Sequence, residues 1–192
     1  MPSFLIFIGA AANIFGAGTY LRDTIKGTTK PNKVTWLLWT AAPLTAAAAA
    51  FAAGGGWSVL PILINGLCSL TIFTASLLNK NAYWRLGPLD YLCGLFSVLA
   101  LVLWLTTREP AVAVLFAILT DLFAALPTLI KAWKHPETET STDYAMGAFS
   151  AATTFFAITV WNVSTVAFPA YIILIDLTLL IFIVRKRFLP TA

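Results

Sequence analysis

Seven apolar runs, each about the twenty residues that a helix needs to cross a bilayer, follow one another with little polar chain between them. This pattern constrains the fold more than any other feature of the sequence. The runs read as spans over Ser3–Arg22, Val34–Ala53, Trp57–Asn79, Pro88–Thr106, Pro110–Ala132, Asp143–Val160 and Val166–Val184. They leave no stretch long enough for a separate water-facing domain. Composition excludes the alternatives. With 59% hydrophobic and 10% charged residues among 192, and a mean hydropathy of +0.86, the chain has too few charges to cover a soluble surface. Disorder requires the opposite balance, and the strand alternation of a barrel is absent. The expected fold is an all-α integral membrane protein of seven transmembrane helices. The first run has no basic residue before it and continues past any plausible cleavage site, so it reads as a span rather than a signal peptide.

Charge placement tests the span count. Counting loops from an outside N-terminus, the odd loops carry Arg22, Lys26, Lys30 and Lys33, then Lys80 and Arg85, then Lys131 and Lys134. Arg185, Lys186 and Arg187 follow the last span, so eleven of the twelve basic residues share one side and Arg108 stands alone on the other. Cytoplasmic loops collect Lys and Arg. The expected topology is N-terminus outside and C-terminus cytoplasmic, in a bacterial or archaeal plasma membrane. The formal net charge of +4 is then topogenic, and no nucleic-acid partner is implied. Trp57, Trp84, Trp104, Trp133 and Trp161 fall near span ends, while Trp36 and Trp39 begin the second span, all consistent with an interfacial belt. Cys68 and Cys93 read as small core residues. His135 has no converging partners, so no metal site is expected.

Spans one to three and five to seven look like copies of one unit. At an offset of 107 residues Tyr20 falls on Pro127, and at 108 Pro61 matches Pro169. Two three-helix units in tandem would point in opposite directions, and a single helix between them restores a common orientation. The chain therefore divides into a first bundle over 1–79, a linker helix over 80–109 and a second bundle with a basic tail over 110–192. Parallel repeats are a transporter design with the substrate site at the repeat interface.

This 3+1+3 arrangement resembles the SWEET sugar transporters and the wider PQ-loop group, together with the related vitamin transporters of the PnuC type. The nearest local match is Pro127-Thr128-Leu129-Ile130-Lys131-Ala132-Trp133-Lys134 with its polar loop to Tyr144, which is similar to the segment that names the PQ-loop group, except that Thr128 replaces the glutamine. The resemblance implies a small-solute transporter working by alternating access, its substrate a sugar, vitamin, amino acid or other small solute. It also implies a mid-membrane pocket with an Asn on the third helix of each repeat, a role that Asn65 matches and Asp176 would share. Trp161 would then be an aromatic wall, with a belt position as the alternative.

Polar groups at mid-membrane are costly and mark function. Asn13, Asn65, Asp121 and Asp176 lie near the centres of spans one, three, five and seven, and form the expected substrate pocket. A carboxylate in a low-dielectric site favours its protonated form unless paired. Asp121 or Asp176 could therefore couple transport to protons, could bind a cationic substrate or Na⁺, or could merely fix helix packing. Pro43, Pro61, Pro127 and Pro169 lie within spans and could act as hinges or static kinks. Glu137, Glu139 and Asp143 with Lys131 and Lys134 form a charged segment, expected to be a solvated loop, with a cytoplasmic gate as the sharper reading. Asp90 reads as a helix N-terminal charge. The segment Lys30-Pro31-Asn32-Lys33-Val34-Thr35-Trp36-Leu37-Leu38-Trp39 stands out without an attached chemistry. No cofactor and no catalytic constellation is expected. A retinal receptor would need a bundle lysine, and span seven has none before Lys186. A non-retinal sensor or an accessory subunit remains the alternative to transport.

Overall fold

The computed structural model describes residues 4–52, 60–107, 109–158 and 160–188. Among them are seven α-helices: α1 (Phe4–Lys26), α2 (Lys33–Ala52), α3 (Leu60–Leu78), α4 (Pro88–Thr106), α5 (Pro110–Lys134), α6 (Ser141–Thr154) and α7 (Val163–Phe188). Five of them, all but α2 and α6, are long and apolar enough to cross a membrane. The chain is an integral membrane protein. Large apolar side chains face outward, as on α4, where Leu92, Leu95, Leu99 and Leu103 form an exposed stripe at helical spacing. Gly54-Gly55-Gly56, Trp57 and Arg108 lie outside the described residues.

The sixth element departs from expectation. A span over Asp143–Val160 is replaced by a helix of 14 residues that starts at Ser141 and gives way to a 3₁₀ turn over Phe155–Ala157. At about 1.5 Å per residue this α-helix is well short of the ~30 Å hydrocarbon core. Thr153 and Thr154 both donate their hydroxyls back to carbonyls three residues earlier, at Ser150 and Ala151, each at 2.7 Å. Such bonds compete with the helical ladder.

The helices pack in a definite order. α1 and α2 each lie on α3, and α5 and α6 each lie on α7. α1 packs extensively on α6, α2 meets α5, and α4 covers α5 and touches α2. Close approach between α1 and α6 depends on small residues. A Cβ on Gly16 would sit 2.9 Å from Met146 Cβ and 3.1 Å from Asp143 Cα, and one on Gly9 would collide with Thr153.

The basic loops gather at one end of the bundle. Gly27 closes α1 at φ +76°, a left-handed geometry that favours glycine. Asn79 donates to the carbonyls of Thr24 at 2.9 Å and Ile25 at 2.7 Å, which satisfies the open end of α1 from the α3–α4 connection. The Lys30–Trp39 segment has a structural role here. Asn32 caps α2 by accepting from the backbone N–H groups of Val34 (3.0 Å) and Thr35 (3.3 Å), and donates to Asp90 at 2.6 Å. Asp90 in turn accepts from the Gly87 N–H at 2.5 Å, which starts α4. Thr35 donates to the Ala124 carbonyl at 2.7 Å and accepts from Thr128 at 3.0 Å. Thr128 thus joins α5 to α2.

Gly16→Val should separate α1 from α6, because the atoms it meets include helix backbone. Overpacking of this kind costs about 1–3 kcal/mol. A lower melting temperature in detergent is expected for Gly16→Val, while Gly18→Ala, with nothing within 4 Å of its added Cβ, should not lower it.

Candidate functional site

Several helices leave a cavity of about 500 Å³ between them. It contains Asn13 from α1, Asn65 from α3, Asp121 from α5 and Asp176 from α7, the four mid-helix polar residues singled out in the sequence. Asn13 Nδ2 donates to Asn65 Oδ1 at 3.5 Å, while Asn13 Oδ1 is buried without a donor. Asp121 accepts from the Tyr171 hydroxyl at 2.8 Å. The indole N–H of Trp39 also acts on Asp121, short of full hydrogen-bond geometry. Thr120, beside Asp121, borders the same space.

Three of the four in-span prolines, Pro43, Pro61 and Pro169, border the cavity, whereas Pro127 is buried away from it. Pro43, Pro127 and Pro169 lie inside their helices. Each lacks the N–H that would bond the carbonyl four residues earlier, at Trp39, Phe123 and Thr165. Pro61 falls in the first turn of α3, where proline is accommodated without a kink.

Trp161 is a correction. It does not border the cavity and is 64% exposed beyond the early end of α6, resting on Phe155 with ring centroids 5.9 Å apart. The aromatic wall comes instead from Trp36, Trp39 and Trp104, which the belt reading had placed at an interface. Trp36 is buried against Tyr20, with ring centroids 4.6 Å apart.

The charged segment between α5 and α6 is a second correction. Glu137 and Lys134 are exposed, as a solvated loop requires, but Lys131, Glu139 and Asp143 are not. Lys131 Nζ and Glu139 Oε1 pair at 2.5 Å with side-chain exposures of 1% and 0%. Glu139 Oε2 accepts from the hydroxyls of Tyr20 at 2.7 Å and Tyr144 at 2.9 Å. The Trp36 indole donates to Tyr20 at 3.3 Å. Lys131 also bonds the Lys30 carbonyl and lies 5.1 Å from the centre of the Trp84 ring. Lys131 and Glu139 are buried together because each is the other's partner and each is held further, Lys131 by the Lys30 carbonyl and Glu139 by tyrosines of α1 and α6. Tyr144 and Trp36 belong both to this cluster and to the cavity wall, so the cluster stands at the cavity's basic-loop end.

Asp143, in the first turn of α6, also faces the cavity. One turn further, Gly147 abuts the Asp176 carboxylate so closely that a Cβ there would collide with it. Sequence reasoning misses Asp143 because it sits at the junction of a polar loop and a helix. Its spacing of four from Gly147 on one helix face is the signal that could have found it. Among the described residues, no group of three or more His, Cys, Asp or Glu side chains could hold a metal ion. No family model, curated protein or solved structure matches this chain.

Removing one member of a buried ion pair strands the other and costs about 3–5 kcal/mol. Lys131→Met should therefore lower the melting temperature sharply. The double variant Lys131→Met with Glu139→Gln should recover most of the loss, since the Gln carbonyl can still accept from Tyr20 and Tyr144. Thermal unfolding of the purified variants, read by tryptophan fluorescence, checks both.

Proposed function

We propose that the chain is a small-solute transporter of the SWEET or PQ-loop type, binding its substrate between two three-helix bundles and working by alternating access. The cavity is the observation that carries this reading. It lies among helices of both halves and collects polar side chains from mid-helix, where polarity is costly and serves substrate or ion pathways.

The packing order supports the repeat. Exchanging α1 with α5, α2 with α6 and α3 with α7 turns every intra-bundle contact into another observed one. The α1–α6 contact becomes α5–α2, which is also observed. An intervening α4 gives the two halves the parallel orientation that such an exchange requires, and substrate sites of parallel-repeat transporters lie at the repeat interface.

In this reading the Lys131–Glu139 cluster is the closed gate on the cytoplasmic side, and the polar end of the cavity lies behind it. Opening would have to break a buried pair whose members are each held by further hydrogen bonds. Prolines in α2, α5 and α7 leave backbone carbonyls unbonded and supply the bending points. Asp121 or Asp176 would carry the coupling proton. Asp121 is poised for this by the Tyr171 hydroxyl, which can follow a change in its charge by reorienting.

Uptake into proteoliposomes, over a panel of sugars, amino acids and vitamins with and without a pH gradient, tests the proposal. At least one solute should accumulate faster with the gradient. Asp121→Asn and Asp176→Asn should each lower that gradient-driven rate by about tenfold or more, the loss of a single interaction of ~1.4 kcal/mol or greater. Unchanged uptake in both variants would remove the coupling role. Absence of movement for every solute would favour a sensor or accessory subunit.

A further inference from the structure

The cavity is lined by carboxyl groups, beside the neutral donors of Asn65, Ser69, Ser150 and Trp39. Asp121, Asp143 and Asp176 all border it, and among the described residues no lysine, arginine or histidine does. The nearby Lys131 is committed to Glu139. Asp121 has its Tyr171 donor, but among the described residues no protein donor hydrogen-bonds Asp143 or Asp176. Asp176 lies within electrostatic reach of both other carboxylates. The buried Asn13 Oδ1 adds a fourth acceptor with no donor of its own. A ligand that brings positive charge, with or without N–H donors, would pair with Asp143 and Asp176 in their ionised form, which a low-dielectric site otherwise disfavours.

The surrounding surface narrows the class further. The indoles of Trp39 and Trp104 border the cavity, and indole faces attract cations. Most of the remaining lining is apolar. A volume of about 500 Å³ falls within the range of small-molecule sites, roughly 300–1,000 Å³. That is far more room than a bare metal cation occupies. Gly147 shapes the acidic end, since any side chain there would displace the Asp176 carboxylate that stands beside the Asp143 turn of α6.

We propose that this cavity binds an organic cation, with an ammonium or guanidinium head between Asp143 and Asp176 and an apolar body along the tryptophans. The proposal rests on the cavity being a binding site, as the transport reading holds, and it adds the class of ligand. Binding and movement are separable by experiment.

The test is thermal unfolding and calorimetric titration of the full-length protein in lipid nanodiscs, with agmatine and choline as probes. Glucose, butyrate and NaCl at matched ionic strength are the controls. A saturable rise in melting temperature with agmatine or choline, absent for the controls, is expected. Asp176→Asn and Asp143→Asn should each weaken that binding by about tenfold or more. Asp176→Glu, which keeps the charge, should retain it. Each variant's own melting curve without ligand establishes that it is folded. Equal stabilisation by glucose would mean that the carboxyl groups act as neutral donors and would overturn the proposal. So would equal stabilisation by NaCl or butyrate, unaltered cation binding in folded Asp176→Asn, or no binding of either probe. Cation binding without uptake in proteoliposomes leaves this inference standing and removes the transport reading. Uptake of a neutral solute without cation binding does the reverse.

Discussion

The Lys131–Glu139 pair is the interaction on which the basic-loop end of this protein depends. Each buried charge costs several kcal/mol to desolvate, and the mutual attraction offsets this only when the remaining hydrogen-bonding capacity is also met. Here three groups hydrogen-bond the pair and a fourth stands behind one of them. Tyr20 comes from α1, Tyr144 from α6, the Lys30 carbonyl from the α1–α2 connection, and Trp36 reaches the cluster through Tyr20. Those elements must converge for the charges to be tolerated. The pair therefore specifies where α1, α2, α5 and α6 meet, beyond any stability it adds.

The opposite end of the bundle is built differently. α6 ends early in a 3₁₀ turn, and the segment after it leaves Phe156, Val160 and Trp161 exposed. No comparable buried ion pair occurs there among the described residues. Between the two ends, glycine contacts bring α1 against α6 and α6 against α7, while the prolines of α2 and α7 border the open space. Close packing on one side and helix irregularity on the other leave room for a cavity whose wall is mostly apolar. Its few polar groups are consequently the ones available to a ligand.

Much of this organisation is legible along the chain. Apolar run length and polar breaks locate every helix but α6 within about four residues, because a lipid-facing backbone must satisfy its own hydrogen bonds within each helix. Asn13, Asn65, Asp121 and Asp176 stand out for the same reason: an isolated polar residue amid apolar neighbours is conspicuous. Glu139 and Asp143 do not stand out, since they sit among Thr, Ser and Glu residues that look like any solvated loop. Their burial comes from Tyr20, which is 119 positions from Glu139, and no local pattern encodes a contact of that separation. The tryptophans are ambiguous in a similar way. An indole near a span end fits a lipid interface or a cavity wall equally well until the neighbouring helices are placed.

The sequence by itself determined that the chain is helical, that it belongs in a membrane, and which few polar side chains it carries deep within its apolar runs. These follow from transfer energies and helix length, which act residue by residue. Only the tertiary structure decided that four of those side chains share one cavity, that Asp143 joins them while Trp161 does not, and that a lysine in the last turn of α5 and a loop glutamate form a buried pair. These depend on which helix faces meet, and that is set by glycine approach, threonine cross-links and the joint satisfaction of buried charges across distant parts of the chain.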